Sequence, residues 1–243
     1  MMKCVIMQPT YIPWMGYFDL IDQSDVFVFL DTVQFEKQSW QQRNKIKTPQ
    51  GWIWLTVPVL QSLGQKIKEV KINTNSNWQE KHLKSIKYNY DKAPYFKKYF
   101  KFFEETYNTN WEYLADLNIH IIKWVSDQLN IKNKFVNSSS MNIKGRKTEL
   151  LIDICKKLNA DAYLSPLGSV RYIEENNLFE RDCIKLEYQH FEYPAYRQLW
   201  GDFMPYMSVI DLLFNEGPKS RTIIRSGRKK SYISEEARKT RND

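Results

Sequence analysis

The sequence predicts an α/β protein with a mainly parallel, Rossmann-like sheet and a helical insert. Two short apolar runs near the start, residues 3–7 and 25–30, flank a helical pattern, which is typical of a βαβ unit. Residues 77–130 carry helical patterns, and short apolar runs alternate with a helical pattern again after residue 134. We therefore expect a single α/β domain over residues 1–217, with the helical insert at about 77–130.

The first unit predicts where ligands bind. Residues 3–7 (KCVIM) form an apolar run bounded by Pro9, which indicates a buried strand, and residues 25–30 (DVFVFL) form the second strand. Between them, Tyr17, Leu20 and Ile21 share one face of a short helix over residues 16–23. Parallel sheets bind ligands beyond the carboxyl ends of their strands, so the loops that follow both strands are expected at one edge.

The remaining elements follow from the same patterns. Residues 51–59 and 66–72 predict the third and fourth strands. Helix starts at Asn77, Pro94 and Asn110 predict three helices in the insert. The later elements are strands at 134–136, 162–164 and 184–188, a helix at 147–158, and a last core helix at 206–214 that Gly217-Pro218 ends.

The basic charge is concentrated at the end of the chain. Of the net +8, residues 218–243 carry nine Lys/Arg against three acids, which leaves 27 basic and 25 acidic residues for positions 1–217. We expect these last residues to form a basic, disordered tail. Binding of tRNA or another nucleic acid through this tail is one alternative function.

Composition excludes several classes of protein. The three cysteines form no CxxC pair, and the sequence has neither a secretory leader nor an apolar run of membrane-spanning length, so we expect a cytoplasmic protein without a metal site. It also has no GxGxxG, Walker A, GxSxG or HExxH motif.

The loop at residues 8–16 (QPTYIPWMG) is the strongest local signal for binding. Gln8 and Thr10 supply hydrogen-bonding groups, while Tyr11 and Trp14 supply flat apolar walls. Gly16 permits close approach of a ligand to the start of the first helix. A small-molecule site is favoured here, and a rigid connector with surface aromatics is the alternative.

The stretch at residues 31–47 (DTVQFEKQSWQQRNKIK) is unusually polar for a turn. Its candidates for substrate binding are Gln34, Lys37, Arg43, Asn44 and Lys47. Arginine and lysine suit phosphate groups, and Asp31 is a candidate catalytic residue that could orient an amine, a hydroxyl or a metal. A solvated surface loop is the alternative interpretation.

Two later segments add candidates. Ser169, in SPLGSVRY (165–172), follows a short strand and could offer a backbone amide to an anion, although an ordinary turn fits equally well. The run YQHFEYPAYRQ (188–198) contains Tyr196 and His190, the one histidine outside a predicted helix. His190 is therefore the candidate general base, and the alternative is a non-catalytic histidine that is either exposed or held by other partners.

A resemblance to a known family runs through these segments. QPTYIPWMGYFDLI (8–21), DTVQFEKQSWQQRNKIK (31–47), WLTVPV (54–59), YDKAPYF (90–96), YLSPLGSVRYI (163–173) and YPAYRQLWGDFMPYMSVIDLLFNEG (193–217) resemble the WbqC-like family. The resemblance implies a role in O-antigen or other polysaccharide biosynthesis, with attachment of an amino acid such as glycine to an amino sugar. The run PWMGY after the first strand also looks like a degenerate nucleotidylyltransferase-type loop, with Trp14 and Tyr17 in place of its two histidines.

These observations lead to one functional hypothesis and its alternatives. We expect an amide-forming aminoacyl or acyl transferase that acts on the amino group of a nucleotide-linked deoxyamino sugar. ATP, an activated acyl donor, an aminoacyl-tRNA or a carrier could supply the transferred group. A non-catalytic protein that binds sugar nucleotides is the alternative from another class.

Overall fold

The fold is a three-layer α/β structure built on one central sheet. A computed structural model describes residues 1–173 and 178–240. Its strands are β1 (Lys3–Met7), β2 (Val26–Phe29), β3 (Arg43–Thr48), β4 (Gly51–Thr56), β5 (Val59–Leu60), β6 (Lys71–Ile72), β7 (Lys134–Asn137), β8 (Ala162–Ser165), β9 (Lys185–Tyr188) and β10 (Tyr232–Ile233). Its helices are α1 (Met15–Gln23), α2 (Trp78–Tyr90), α3 (Phe96–Asn108), α4 (Leu114–Gln128), α5 (Lys147–Leu158), α6 (Val170–Ile173), α7 (Leu178–Arg181), α8 (Val209–Glu216), α9 (Ser220–Ser226) and α10 (Ser234–Thr240).

The order of the strands reveals a doubly wound sheet. Within the described residues, the central sheet runs β10-β9-β8-β1-β2-β7, and all neighbours are parallel except β10 and β9. Numbered along the chain, the five parallel strands therefore lie in the order 3-2-1-4-5, which is the Rossmann order without its sixth strand. The chain moves outward from β1 in both directions, so the point where the order reverses lies between β1 and β8. The predicted mainly parallel α/β fold is confirmed.

Both faces of the sheet are covered. Val5, Phe27 and Phe29 point into the larger core together with residues of α1, α3, α4 and α8. Their neighbours along the strands, such as Ile6 and Val28, point into a second core with residues of α5 and α7. Strands buried on both faces read as continuous apolar runs, which is why β1 and β2 could be recognised from the sequence.

The crossover from β2 to β7 holds the insert and a hairpin that the sequence patterns did not reveal. The three predicted helices are confirmed as α2, α3 and α4. The predicted strand at 51–59 instead forms β4 and β5 outside the central sheet, and β4 pairs with β3 in the stretch expected to be a loop. The predicted strand at 66–72 is a 3₁₀ turn (Ile67–Glu69) followed by β6.

The basic end of the chain differs from the expected disordered tail. A 3₁₀ turn (Gly217–Lys219), α9, β10 and α10 follow α8. Residues 241–243 of that expected tail lie outside the described residues. No described helix combines the length and the apolar character that a membrane span requires.

Ion pairs with α1 explain why the basic segment after α8 is folded. Arg221 and Arg225 donate to the Asp22 carboxylate at 2.9 and 2.8 Å, and Arg228 donates to Asp19 at 2.7 Å. Both acidic side chains are at most 2% exposed. Burial alone would raise the pKa of Asp22, but hydrogen bonds from the three arginines hold that pKa well below its usual range. These arginines therefore neutralise buried carboxylates, which leaves less free charge for a nucleic acid.

Candidate functional site

A cavity of about 300 Å³ opens at the point where the strand order reverses. It lies beyond the carboxyl ends of β1 and β8, where doubly wound folds bind their ligands. The residues that line it are Ile6, Met7, Gln8, Thr10, Trp14, Tyr17, Leu30, Glu36, Ser39, Trp40, Gln41, Asn44, Leu151, Tyr163 and Pro166.

Trp14 forms one wall of the cavity and is held firmly. Its ring stacks on Tyr193 with 5.3 Å between centroids and meets the edge of Phe191 at 5.8 Å. The indole also lies across the first turn of α1, where a Cβ built on Gly16 would be 1.8 Å from a ring carbon. Glycine is therefore required here by the close approach of the Trp14 ring.

Substitution of Gly16 by alanine is expected to displace the Trp14 ring. We expect the free energy of unfolding to fall by about 1–3 kcal/mol, as overpacking usually costs, together with weaker ligand binding because the cavity wall moves. Urea unfolding measures the first effect. Gly168→Ala is the matched control, since nothing lies within 4 Å of its added Cβ; equal unfolding curves for the two variants would contradict the interpretation.

Several polar groups that line the cavity form hydrogen bonds with the surrounding protein. Gln41 donates to the side chain of Gln8 at 2.8 Å, and Asn44 donates to the Ile12 carbonyl at 2.9 Å. The Tyr17 hydroxyl donates to the Gln8 carbonyl at 3.0 Å. Burial raises the pKa of Tyr17, so its phenol stays neutral. These bonds tie the loop after β1 to β3 and to α1.

Two groups remain available to a ligand. The Thr10 hydroxyl oxygen is buried without a hydrogen-bond partner, which is costly unless a ligand or water completes it. Glu36 is the only acidic or basic side chain among the described residues that line the cavity. The Thr10 hydroxyl can hydrogen-bond to a polar ring, and the Glu36 carboxylate can bind an amine. Together with the indole rings that line the cavity, they suit a small polar ring that carries an amino group.

The structure brings four of the predicted binding residues to this cavity, namely Gln8, Thr10, Trp14 and Asn44. The other predicted site residues lie outside its lining: Tyr11, Asp31, Gln34, Lys37, Arg43, Lys47, Ser169, His190 and Tyr196. Their functional roles stay predictions, but their positions differ from the expected shared pocket.

Tyr11 points into the core, away from the cavity. Its hydroxyl contacts His82 Nδ1 at 2.8 Å and the hydroxyl of Tyr107, and its side chain is fully buried. Burial raises the pKa of Tyr11 far above its usual value. Thr10 lines the cavity whereas Tyr11, the next residue, packs into the core, so the two side chains lie on opposite sides of the loop.

Asp31 joins the ends of two strands. It accepts hydrogen bonds from the Ser138 hydroxyl at 2.7 Å and from the Ser139 amide at 2.8 Å, and it is 2% exposed. Its carboxylate therefore connects the end of β2 to the 3₁₀ turn (Ser138–Ser140) that follows β7. Both of these bonds end on Oδ1, and the Ser139 hydroxyl donates to Oδ2 at 2.5 Å, so each oxygen of the predicted base already has a partner.

Lys47 and Tyr196 belong to a separate buried polar cluster, which we define as Lys47, Tyr90, Tyr196, Gln198 and Asp211. Lys47 donates to Gln198 at 2.9 Å, while Tyr90 and Tyr196 each donate to Asp211 at 2.8 Å. Burial lowers the pKa of Lys47 and raises that of Asp211. The cluster holds β3, α2 and the loop before α8 together.

The remaining predicted residues lie at several places on the molecule. Ser169 is buried, and its hydroxyl contacts Ser165 at 2.6 Å. His190 stacks on Tyr232 of β10, with 4.3 Å between centroids. Gln34 and Lys37 are exposed, and Gln34 forms a β-bridge with Lys66. Arg43 lies over the Trp54 ring at 4.3 Å.

Sequence reasoning missed Glu36, Ser39, Trp40 and Gln41, which line the cavity from within the polar stretch 31–47. The density of polar residues there was the available signal, but it did not indicate which side chains turn inward. No group of three or more His, Cys, Asp and Glu in the described parts of the chain is arranged to hold a metal ion.

Comparison with known proteins agrees with the resemblance seen in the motifs. The WbqC-like protein family matches residues 8–223, which include most of the cavity lining. The chain is also similar to Rv1507c of Mycobacterium tuberculosis (strain ATCC 25618 / H37Rv), a protein described as uncharacterized. The two are 36% identical over 233 residues, which cover 93% of this chain and 98% of that protein. No solved structure matches the chain. The chain therefore belongs to the WbqC-like protein family.

Proposed function

We propose that the protein is an aminoacyl or acyl transferase that forms an amide on the amino group of a nucleotide-linked deoxyamino sugar, in O-antigen or related polysaccharide biosynthesis. The switch-point cavity would hold the sugar ring between Trp14 and Trp40. One observation carries this proposal: a carboxylate, Glu36, and a hydroxyl without a hydrogen-bond partner, that of Thr10, line the same cavity, whose volume suits a sugar ring.

Each group has a defined task in the proposed reaction. Thr10 orients the ring through a hydroxyl or the amine itself, and Glu36 accepts the proton of the ammonium group. Once Glu36 has released that proton to solvent, the free amine attacks the carbonyl carbon of an activated donor. A C–N bond forms, the bond to the leaving group breaks, and Glu36 transfers the second proton of the attacking nitrogen to that leaving group. Holding both reactants in one cavity supplies much of the remaining acceleration.

Thr10→Val and Glu36→Gln test the proposal together. Thr10→Val removes a buried oxygen that has no partner, so stability is expected to hold while sugar affinity falls about tenfold. Glu36→Gln is expected to reduce the rate by about 10²–10⁴-fold with little change in affinity. Mass spectrometry of a dTDP-4-amino sugar incubated with glycine and ATP, or with glycyl-tRNA, measures the product.

The exposed Glu192, which is outside the cavity lining, provides the matched control as Glu192→Gln. Its activity should equal that of the unsubstituted protein. The absence of any mass increase with every donor would exclude the transferase proposal.

One observation favours a second candidate, a non-catalytic protein that binds sugar nucleotides. Asp31 and His190, the groups first predicted to do acid–base chemistry, have other partners outside the cavity. Under this alternative, Glu36→Gln would weaken binding of the amino sugar because Glu36 holds the ammonium group. Calorimetry with the sugar nucleotide, compared with the rate assay, distinguishes the two candidates.

We also infer a relationship to nucleotidylyltransferase-type folds. The 3-2-1-4-5 strand order and the helix that begins within the PWMGY run, at Met15, support it. In this chain the Trp14 ring covers the first turn of α1 at Gly16, the position where that type of loop binds ATP phosphates. A donor that arrives already activated is therefore favoured over activation by ATP in this cavity.

A further inference from the structure

Three tryptophans form a continuous series on the hairpin of β3 and β4 and the loop before it, with the outer two exposed and the middle one half-buried. We define Trp40, Trp54 and Trp52 as the tryptophan strip. The ring centroids of Trp40 and Trp54 lie 5.5 Å apart, as do those of Trp54 and Trp52. Trp40 is 48% exposed and Trp52 is 43% exposed. Contiguous exposed aromatic surface of this kind usually marks an interaction site.

Two cations lie on the strip. The Arg43 guanidinium is 4.3 Å from the Trp54 centroid, and Lys45 Nζ is 4.1 Å from that of Trp52. The antiparallel register pairs Lys45 with Trp54 and Arg43 with Thr56, which places the cations and the indoles on one face of the hairpin. Among the described ion pairs, none involves Arg43 or Lys45. Their charges are available to an anion.

The strip connects two concave regions. Trp40 also lines the switch-point cavity, while Trp52 lines an open groove of about 770 Å³ between the hairpin and α2. Tyr88, at 77% exposure, and Lys87 contribute further aromatic and cationic groups to the groove.

The groove also contains groups that restrict what it can bind. Asn89 is 3% exposed, and its Oδ1 is buried without a hydrogen-bond partner, so the groove offers an acceptor to a ligand. Lys84 forms an ion pair with Glu80 at 2.6 Å, and Asp91 adds one negative charge. The groove is therefore less cationic than the strip, where both cations are unpaired.

Alternating indoles and cations match one class of ligand. Each base of a single-stranded nucleic acid can stack on an aromatic ring, and the intervening phosphates attract the cations. A duplex buries the base faces that this surface would contact. A single nucleotide has one base and would use only one of the three rings, so the strip suits a longer nucleic acid. A neutral glycan has no negative charge to bind Arg43 and Lys45, whereas phosphates do.

We propose that the tryptophan strip and the adjoining groove bind a single-stranded RNA end, with its terminal ribose at the mouth of the cavity beside Trp40. This inference rests on the proposed transferase function, because the RNA would carry the transferred group as an ester. The sugar amine attacks the ester carbonyl, a C–N bond forms, and the C–O bond to ribose breaks. The proton passes from the amine through Glu36 to the departing ribose oxygen.

Binding of a fluorescein-labelled single-stranded RNA of about eight nucleotides tests the surface without any acceptor sugar. Trp52→Ala is expected to weaken binding about tenfold in fluorescence anisotropy. Lys45→Gln is expected to weaken binding and to reduce the slope of log K against log salt by about 1, because one phosphate contact is lost. Lys97→Gln, an exposed lysine on α3, is the matched charge control and should leave binding unchanged.

Several results would overturn the RNA proposal. They are equal affinity for a duplex of the same sequence, equal competition by a nucleoside diphosphate, and insensitivity to Trp52→Ala. Transfer from a non-RNA donor without RNA binding would reject this surface alone. RNA binding that depends on Trp52, without acyl transfer from any donor, would support the surface and reject the transferase.

Discussion

Replacement of Asp211 by alanine is expected to lower the free energy of unfolding by about 3–5 kcal/mol, the usual cost of breaking a buried polar network that includes charges. Asp211 is fully buried and accepts hydrogen bonds from Tyr90 and Tyr196, both at 2.8 Å. The substitution leaves two hydroxyls without their acceptor and removes a negative charge that opposes the lowering of the Lys47 pKa by burial. Urea unfolding monitored by circular dichroism measures the loss.

A conservative variant and a surface variant separate the causes. Asp211→Asn keeps an acceptor oxygen but removes the charge, so its loss should be smaller than that of Asp211→Ala. Asp127→Ala, on the exposed face of α4, should change stability by less than about 0.5 kcal/mol. If Asp211→Ala unfolds like Asp127→Ala, the network does not stabilise the fold.

Acidification is expected to destabilise the protein through His82. Burial lowers the pKa of His82 to about 3, while a backbone hydrogen bond to Thr56 opposes that shift. The unfolded chain binds a proton at this position below about pH 6.5, and the folded chain does not. Stability therefore falls as the pH drops from about 6.5 towards 3, by up to about 1.4 kcal/mol for each pH unit.

The His82→Gln variant isolates this contribution. Other titrating groups are common to both proteins, so the difference between their unfolding free energies should shrink steadily from pH 7 to pH 4. Urea titrations at half-unit intervals of pH provide the measurement. Parallel curves across that range would show that His82 takes up its proton equally in the folded and unfolded states.

The fold was predictable where local pattern and burial agree. β1, α1 and β2 carry apolar residues at periods that a doubly covered sheet requires, and their positions match the structure to within a residue. β3 was missed because its sequence RNKIKT reads as a polar loop. Arg43 and Lys45 are compatible with a strand only because Trp54 and Trp52 of the neighbouring strand lie beneath them.

The candidate site was predictable at the level of segments but not of side chains. The loop after β1 was correctly placed at the cavity, since strand order alone sends it there. Which residues turn inward depends on tertiary partners. Tyr11 is drawn into the core by His82, 71 residues away, and Lys47 reaches Gln198 across 151 residues.

The ion pairs between Asp22 of α1 and the arginines of α9 have a consequence for folding during synthesis of the chain. Asp22 and Arg221 are 199 residues apart, so a growing chain must display its first helix long before the counter-charges are translated. Burial of a carboxylate without a counter-charge costs free energy, and contacts between residues far apart in the chain form late in folding. These ion pairs can therefore form only after residues 221–228 have left the ribosome, and a chain that ends before Arg221 would leave the Asp22 carboxylate without its arginine partners.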